Sequence, residues 1–301
     1  MSTPLSVSEL QRWMRERRDF ALVDVLPEEA FAEQHLPGAR KACVYEVDFL
    51  DQVANLGITR DQSIVVYGAC ADSLESATAA EKLDRAGFKQ VHDFRGGREA
   101  WRSAGGDFEG TGQTATASPP RTDRECVVDI EKSTVEWIGR NLASTHRGTL
   151  RLLEGRMSVR ETTLAGGSVT LDLRSIQNTD LEDPGMRRLL EHHLKSDDFF
   201  DVERFPTAEV VFTSAVPIAD ATPGTPNARI AAELTLKGVT HPIEFPAIVA
   251  ESDDGTITGV AQMEIDRTRW NVLYGSGRFY RMLGKHLVGD FITLLVKIVA
   301  K

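Results

Sequence analysis

The chain is poor in cysteine, with three in 301 residues: Cys43, Cys70 and Cys126. They are scattered and no two have CxxC spacing, so neither a disulfide framework nor a cysteine-based zinc site organises the fold, and a reducing compartment fits. Long apolar runs are missing too. No segment has the length or apolarity of a transmembrane helix, and the opening MSTPLSVSELQRWMRER holds no signal-peptide core, so a cytoplasmic location is the expectation. Positive charge is in deficit, with 35 Lys and Arg against 45 Asp and Glu. Both halves are net acidic, which argues against nucleic acid as a partner. Metal-ligand spacing is also absent. His192 and His193 are adjacent on a predicted helix and point to different faces, and no HExxH accompanies His146, His241 or His286, so no metal is expected.

What is present divides in two. At 41% hydrophobic content the chain can bury two cores. Residues 1–110 alternate strand and helix: Phe20 to Val25, then EEAFAEQHLPGAR, then SIVVY at Ser63 to Tyr67, then an alanine-rich helix, then Gln90 to Phe94 and GGREAW. That order implies a parallel sheet covered on both faces, with ligands at the carboxyl ends of its strands. Between SIVVY and the helix lies a short loop holding Cys70, and Ser76 is read as the helix N-cap. Amide N–H groups and the positive end of the helix dipole favour a thiolate or a bound oxyanion there. Ser73, Glu75 and Ser76 complete the candidate catalytic set with Cys70.

Residues 111–124 are small, polar and proline-containing, and read as a linker. From 125 to 301 the apolar period shortens to two. About eight strands follow: STVEWIG, Thr149 to Val159, GSVTLDL, AEVVF, RIAAELTL, PIEFPAIV, TITGVAQMEI and DFITLLVKIVA. Eight antiparallel strands suggest a closed barrel, solid or holding one small ligand. An insertion begins at Asp183, its first half helical with Leu189, Leu190 and Leu194 on one face.

LVDV, HLPGAR, the Cys70 loop and FRGGREAW resemble the rhodanese homology domain. The resemblance implies a sulfurtransferase fold in which a loop cysteine carries sulfur as a persulfide. The loop departs from the family pattern: the arginine usual five residues after the cysteine is Glu75, while the serine usual at six is present as Ser76. Counted from Tyr67, the position that would hold the cysteine is Gly68. Asp72 and Glu75 add negative charge where an anionic donor should bind. Two unit charges about 4 Å apart at an effective dielectric of roughly 20 repel by about 4 kcal/mol before screening, so thiosulfate is expected to be a poor substrate.

VEWIGRNLASTHRGTL, GGSVTLDLRSI, HHLKSDDFFDVERFPTAEVVF, AELTLKGVTHPIEFP, IDRTRWNVLYGSGRF and LVGDFITLLVKIV resemble, in order, the YceI-like family of lipid-binding barrels, which are similar to lipocalins in architecture. The chain as a whole resembles known fusions of the two domains. The ligands implied are polyisoprenoids and other long-chain amphiphiles such as quinones. No cofactor is required beyond such a bound lipid, the expected partner is a hydrophobic small molecule, and nothing fixes an oligomeric state. Candidate wall residues are Trp137, Leu171, Phe199, Phe212, Trp270, Tyr274 and Phe279. His146 and His193 lie inside matched stretches and are candidates for holding a head group.

Overall fold

The computed structural model describes residues 2–112, 123–160, 163–252 and 254–301. The chain divides into two compact units, Met1–Ala117 and Ser118–Lys301. Most of the stretch read as a linker, residues 113–122, lies outside the described residues.

The first unit runs β1 (Thr3–Pro4), α1 (Val7–Arg15), β2 (Ala21–Asp24), α2 (Glu28–Glu33), β3 (Arg40–Lys41), α3 (Phe49–Asn55), β4 (Ser63–Tyr67), α4 (Glu75–Arg85), β5 (Gln90–Asp93) and α5 (Gly97–Ser103). The strands form one parallel sheet in the order β1-β5-β4-β2-β3. Alternation along β2 and β4 feeds two cores, one on each face. Val23, Ile64 and Val66 meet Phe49 and Val53 of α3 and Ala79, Ala80 and Leu83 of α4. Leu22, Val65 and Tyr67 meet Leu10 and Trp13 of α1 and Trp101 of α5. Every residue of β4 is buried, which explains its unbroken apolar run. One expectation needs correction. Helix α4 begins a residue before Ser76, Leu74 occupies the cap position with no side-chain hydrogen bond, and Ser76 is buried within the first turn.

The second unit is an antiparallel barrel closed by eight strands: β7 (Thr134–Arg140), β8 (Thr145–Arg160), β9 (Thr163–Asn178), β10 (Thr207–Pro217), β11 (Ala228–Leu236), β12 (Val239–Glu251), β13 (Ile257–Asp266) and β14 (Phe291–Ala300). Closure comes from β14 pairing with β7 and from β8 pairing with β9. A short ninth strand, β6 (Arg124–Val127), joins the second half of β8 after β7 has paired with its first half. The period of two is plain in β11, where Ile230, Ala232, Leu234 and Leu236 are buried and Arg229 and Glu233 are exposed. At the β8–β9 seam a Cβ on Gly148 would lie 1.8 Å from the Gln177 carbonyl oxygen, so only glycine allows that approach. Helix α6 (Pro184–Lys195) starts on Asp183, whose side chain accepts from the Met186 N–H at 2.7 Å. Leu190 and Leu194 pack on the barrel core, but Leu189 is exposed, contrary to the face expected from spacing.

Candidate functional site

Inside the barrel the inward side chains leave a bore of two chambers, about 190 and 330 Å³. Leu171, Leu234, Ile265 and Leu294 line both and form the waist between them. The smaller chamber is almost wholly apolar, walled by residues such as Val135, Phe212, Ile230, Phe245, Met263 and Ile298. The one charged residue in its lining, Glu251, is paired with Arg124 at 2.8 Å.

The larger chamber has a different character. Trp137, Phe199, Phe200 and Tyr274 furnish aromatic wall, and Lys285, His146, His193 and His286 supply basic or ionisable groups; Arg140 and Arg267 also line it, but the Arg140 guanidinium donates to Thr293 Oγ1 at 2.9 Å and lies 3.8 Å from Glu264. Its described lining contains no carboxylate. The Trp137 indole N–H is buried here without a hydrogen-bond partner among the described residues. In a wall this apolar, such a donor is costly unless something accepts from it. His146 is set by its Nδ1 contact to Asp180 at 3.0 Å. Burial alone would raise the Asp180 carboxyl, but the Arg147 backbone N–H, His146 and Asn178 hold it below the ordinary value. The His193 ring stands edge-on to Phe199 and Tyr274, at 5.0 and 4.5 Å between centroids.

Arg267 is almost fully buried and works as a pin. Its guanidinium donates to the carbonyls of Gly289 at 2.9 Å and Val288 at 3.1 Å and also to that of Val272, fixing both ends of the segment that brings Tyr274, Lys285 and His286 to the chamber. Burial lowers its pKa against the opposing pull of Asp290 and Asp266.

Of the wall candidates, Leu171 lines both chambers, Phe212 the smaller, and Trp137, Phe199, Tyr274, His146 and His193 the larger. Two candidates are corrected. Trp270 is fully buried off the bore, its indole donating to the Leu234 carbonyl at 2.9 Å, so it is a structural residue. Phe279 points to solvent at 55% exposure. Arg140, Arg267, Lys285 and His286 were not foreseen. The first two lie in the matched stretches VEWIGRNLASTHRGTL and IDRTRW, but period-two reading assigns charged residues to the outer face.

In the first unit, the loop 68–74 follows β4 and meets α4. The N–H groups of Arg98 and Glu99, opening α5, donate to the carbonyls of Gly68 and Ala69 at 3.1 and 3.0 Å, and Arg95 Nε donates to the Ala71 carbonyl at 3.0 Å. This ties FRGGREAW to the Cys70 loop. Cys70 is half-buried, whereas Cys43 and Cys126 are buried. Ser73 donates its N–H to the Cys70 carbonyl at 3.3 Å. Glu75 is buried at the first position of α4, with Oε1 accepting from the Tyr45 hydroxyl at 3.1 Å. Its other oxygen, Oε2, has no partner among the described residues and lies 2.9 Å from where a Cβ on Gly68 would be. A side chain at 68 and the carboxylate of Glu75 therefore compete for one space. Among the described residues no group of three or more His, Cys, Asp or Glu could hold a metal ion.

Two family models match the chain, the YceI-like domain over residues 127–300 and the rhodanese-like domain over residues 6–104. Thiosulfate sulfurtransferase GlpE of Coxiella burnetii is 26% identical over 98 residues, which are 32% of this chain and 86% of that protein. Among solved structures, BcnA of Burkholderia cenocepacia is 22% identical, with a TM-score of 0.45, over 58% of this chain and 99% of its own. A polyisoprenoid binding domain from Saccharophagus degradans is 14% identical, with a TM-score of 0.43, over 58% of this chain and 97% of its own.

Proposed function

Because this chain belongs to the YceI-like domain family and joins to it a rhodanese-like domain, we propose that its barrel binds one long-chain amphiphile, with the tail in the smaller chamber and an oxygen-bearing head in the larger. The observation that carries this reading is the asymmetry of the bore. An apolar chamber narrows at Leu171 and Leu234 and opens into one lined by Lys285, His146, His193 and His286, with no carboxylate among its described lining. Such a lining suits a ligand that accepts hydrogen bonds or carries negative charge at one end. Polyisoprenoids with an oxygenated end and isoprenoid quinones meet that description. Burying ten CH₂ groups at about 0.8 kcal/mol each supplies about 8 kcal/mol, near micromolar affinity before the entropy of ordering the chain is subtracted.

Native mass spectrometry of the freshly purified full chain tests this. The expected spectrum carries an added lipid mass that organic extraction removes and an isoprenoid quinone restores. A chain that carries no such mass and takes up neither quinone nor polyprenol sinks the reading.

A second reading makes Cys70 a sulfur carrier, and its half-exposed position beside the start of α4 supports it. The GlpE relative is named for thiosulfate, but Glu75 sets a buried carboxylate in this loop, so thiosulfate is disfavoured as donor to Cys70. A further native mass spectrum, taken after exposure to sulfur donors, separates the readings. A reductant-reversible gain of one sulfur, absent in Cys70→Ser, supports transfer; no gain leaves a carrier with a silent rhodanese-like half. If only the charge stands in the way, Glu75→Arg raises thiosulfate turnover.

A further inference from the structure

The larger chamber is framed by three segments: the turn between β7 and β8, helix α6, and residues 272–289. They are held to one another. The Gly289 N–H donates to the Arg140 carbonyl at 2.7 Å, the His193 and Tyr274 rings meet at 4.5 Å, and the Arg147 N–H donates to Asp180, just before α6, at 2.7 Å. The exposed Lys285 and His286 line the chamber, which places its opening among these segments.

The same three segments carry exposed large apolar side chains: Leu142 on the turn, Met186 and Leu189 on α6, and Phe279, Tyr280 and Met282 on the third. Leu142 is 90% exposed and Met282 fully so. Met282 is also held at φ 61, a left-handed backbone that a non-glycine residue seldom adopts without a reason in function or context. Exposed large apolar side chains on all three segments that frame a lipid-sized cavity are the composition of an interaction surface.

Charge on the rim departs from the charge of the molecule. The chain carries a net −10, yet residues 140–149 and 272–289 contain no Asp or Glu at all. Exposed Arg147, Arg188, Arg281 and Lys285 lie on the same segments as the apolar side chains, and the exposed carboxylates at this end flank α6, with Glu182 and Asp183 before it and Asp197 and Asp198 after it. Apolar side chains flanked by Lys and Arg match the interface of a bilayer that holds anionic lipid, where the chains enter the head-group boundary and the cations meet phosphate. A protein partner matched to the same rim would need its own acidic apolar face. A bilayer provides both features and is also the place where a long-chain amphiphile resides.

We propose that the rim of the larger chamber, centred on Leu142 and Met282, is a docking surface for an anionic phospholipid bilayer, orienting the open end of the bore toward the lipid. The inference goes beyond ligand binding, since a barrel with nothing in its bore would dock equally.

Co-sedimentation of the full chain with vesicles tests it. Binding is expected with vesicles of phosphatidylcholine and phosphatidylglycerol in equal parts, to weaken with phosphatidylcholine alone, and to fall as salt rises. Arg188→Glu and Arg281→Glu should each weaken binding by about fivefold or more, the worth of one basic residue at an anionic surface. Leu142→Glu combined with Met282→Glu should abolish it, while Val216→Glu, an exposed apolar position on β10, should leave it unchanged. All these side chains are exposed, and unchanged circular dichroism would confirm the fold. No binding to the mixed vesicles, or binding that the rim substitutions leave intact, overturns the proposal. The mass of any lipid in the bore is read separately, so failure to dock and failure to bind ligand are distinguishable.

Discussion

Glu75 brings a carboxylate into a protein interior at the one kind of place that tolerates it, the first turn of a helix, where the dipole and free N–H groups favour negative charge. Its hydrogen-bond partner Tyr45 has a mostly exposed ring, but local burial first, and then the hydrogen bond and charge of Glu75, push the phenol up to about 12. A raised pKa favours the protonated phenol in the fold. That contribution is complete below the unfolded value of about 10 and is lost as pH rises through about 12. Glu75→Gln should therefore move the Tyr45 titration part of the way back, leaving the share due to burial. Phenolate absorbance against pH, with Tyr45→Phe to assign the signal, reads this, and an unmoved titration would show that Glu75 does not reach the phenol. A second residue pair has a different lesson. Arg98 Nη2 donates to Asp24 Oδ2 at 2.7 Å, both side chains being buried, and Asp24 Oδ1 accepts from the Leu26 N–H at 3.0 Å. LVDV and FRGGREAW, two of the fragments on which the rhodanese resemblance rests, meet in this pair, so these two residues have a structural role here apart from catalysis. Arg98→Met strands a buried carboxylate and should cost about 3–5 kcal/mol in denaturant unfolding of the first unit. Near-neutral behaviour would mean that Asp24 finds other compensation.

At the scale of elements, the barrel strands were legible because each has one wet face. Period two in RIAAELTL and TITGVAQMEI is the direct imprint of a bore on one side and solvent on the other. Strand lengths were less legible. Strands β8 and β9 run 16 residues each, well past the apolar stretches, because their pairing continues through polar positions and register shifts near Thr149 and Leu152. Strand β6, at four residues, is too short to leave a pattern. The polar end of the site was hidden for the same reason that the apolar wall was visible: Lys285 and His286 lie on a segment without strand periodicity, and only tertiary folding, pinned by Arg267, brings them to the bore. Strand β13 offers a test of the bore itself. Ile257, Gly259, Ala261, Met263 and Ile265 recur at every second position and all line the smaller chamber, and a Cβ on Gly259 would meet nothing within 4 Å. Gly259→Phe should fill part of that chamber without a backbone clash. The expected result is a shorter or absent co-purifying lipid with a melting temperature within a few degrees of the parent. Unchanged lipid mass would mean that the tail does not reach this chamber.

Across the whole molecule, the two units are built on separate cores with opposite logic. The first buries two apolar layers against a parallel sheet and is stabilised by pairs such as Arg98 and Asp24; the second wraps a sheet around a space that it does not fill with its own side chains. A bore of this kind leaves wall atoms without packing partners, so the barrel alone should gain stability from its ligand. A molecule that binds only the folded state adds about 2.7 kcal/mol when present at about 100 times its dissociation constant. Two units with separate cores also give no reason to expect a single all-or-none transition. Calorimetry of the full chain should resolve two transitions. Lipid extraction should lower only one of them, and Arg98→Met should lower only the other. If extraction moved neither, the stability of the barrel would not depend on a ligand in its bore, and a tail buried between Leu171 and Ile298 would lose its thermodynamic support.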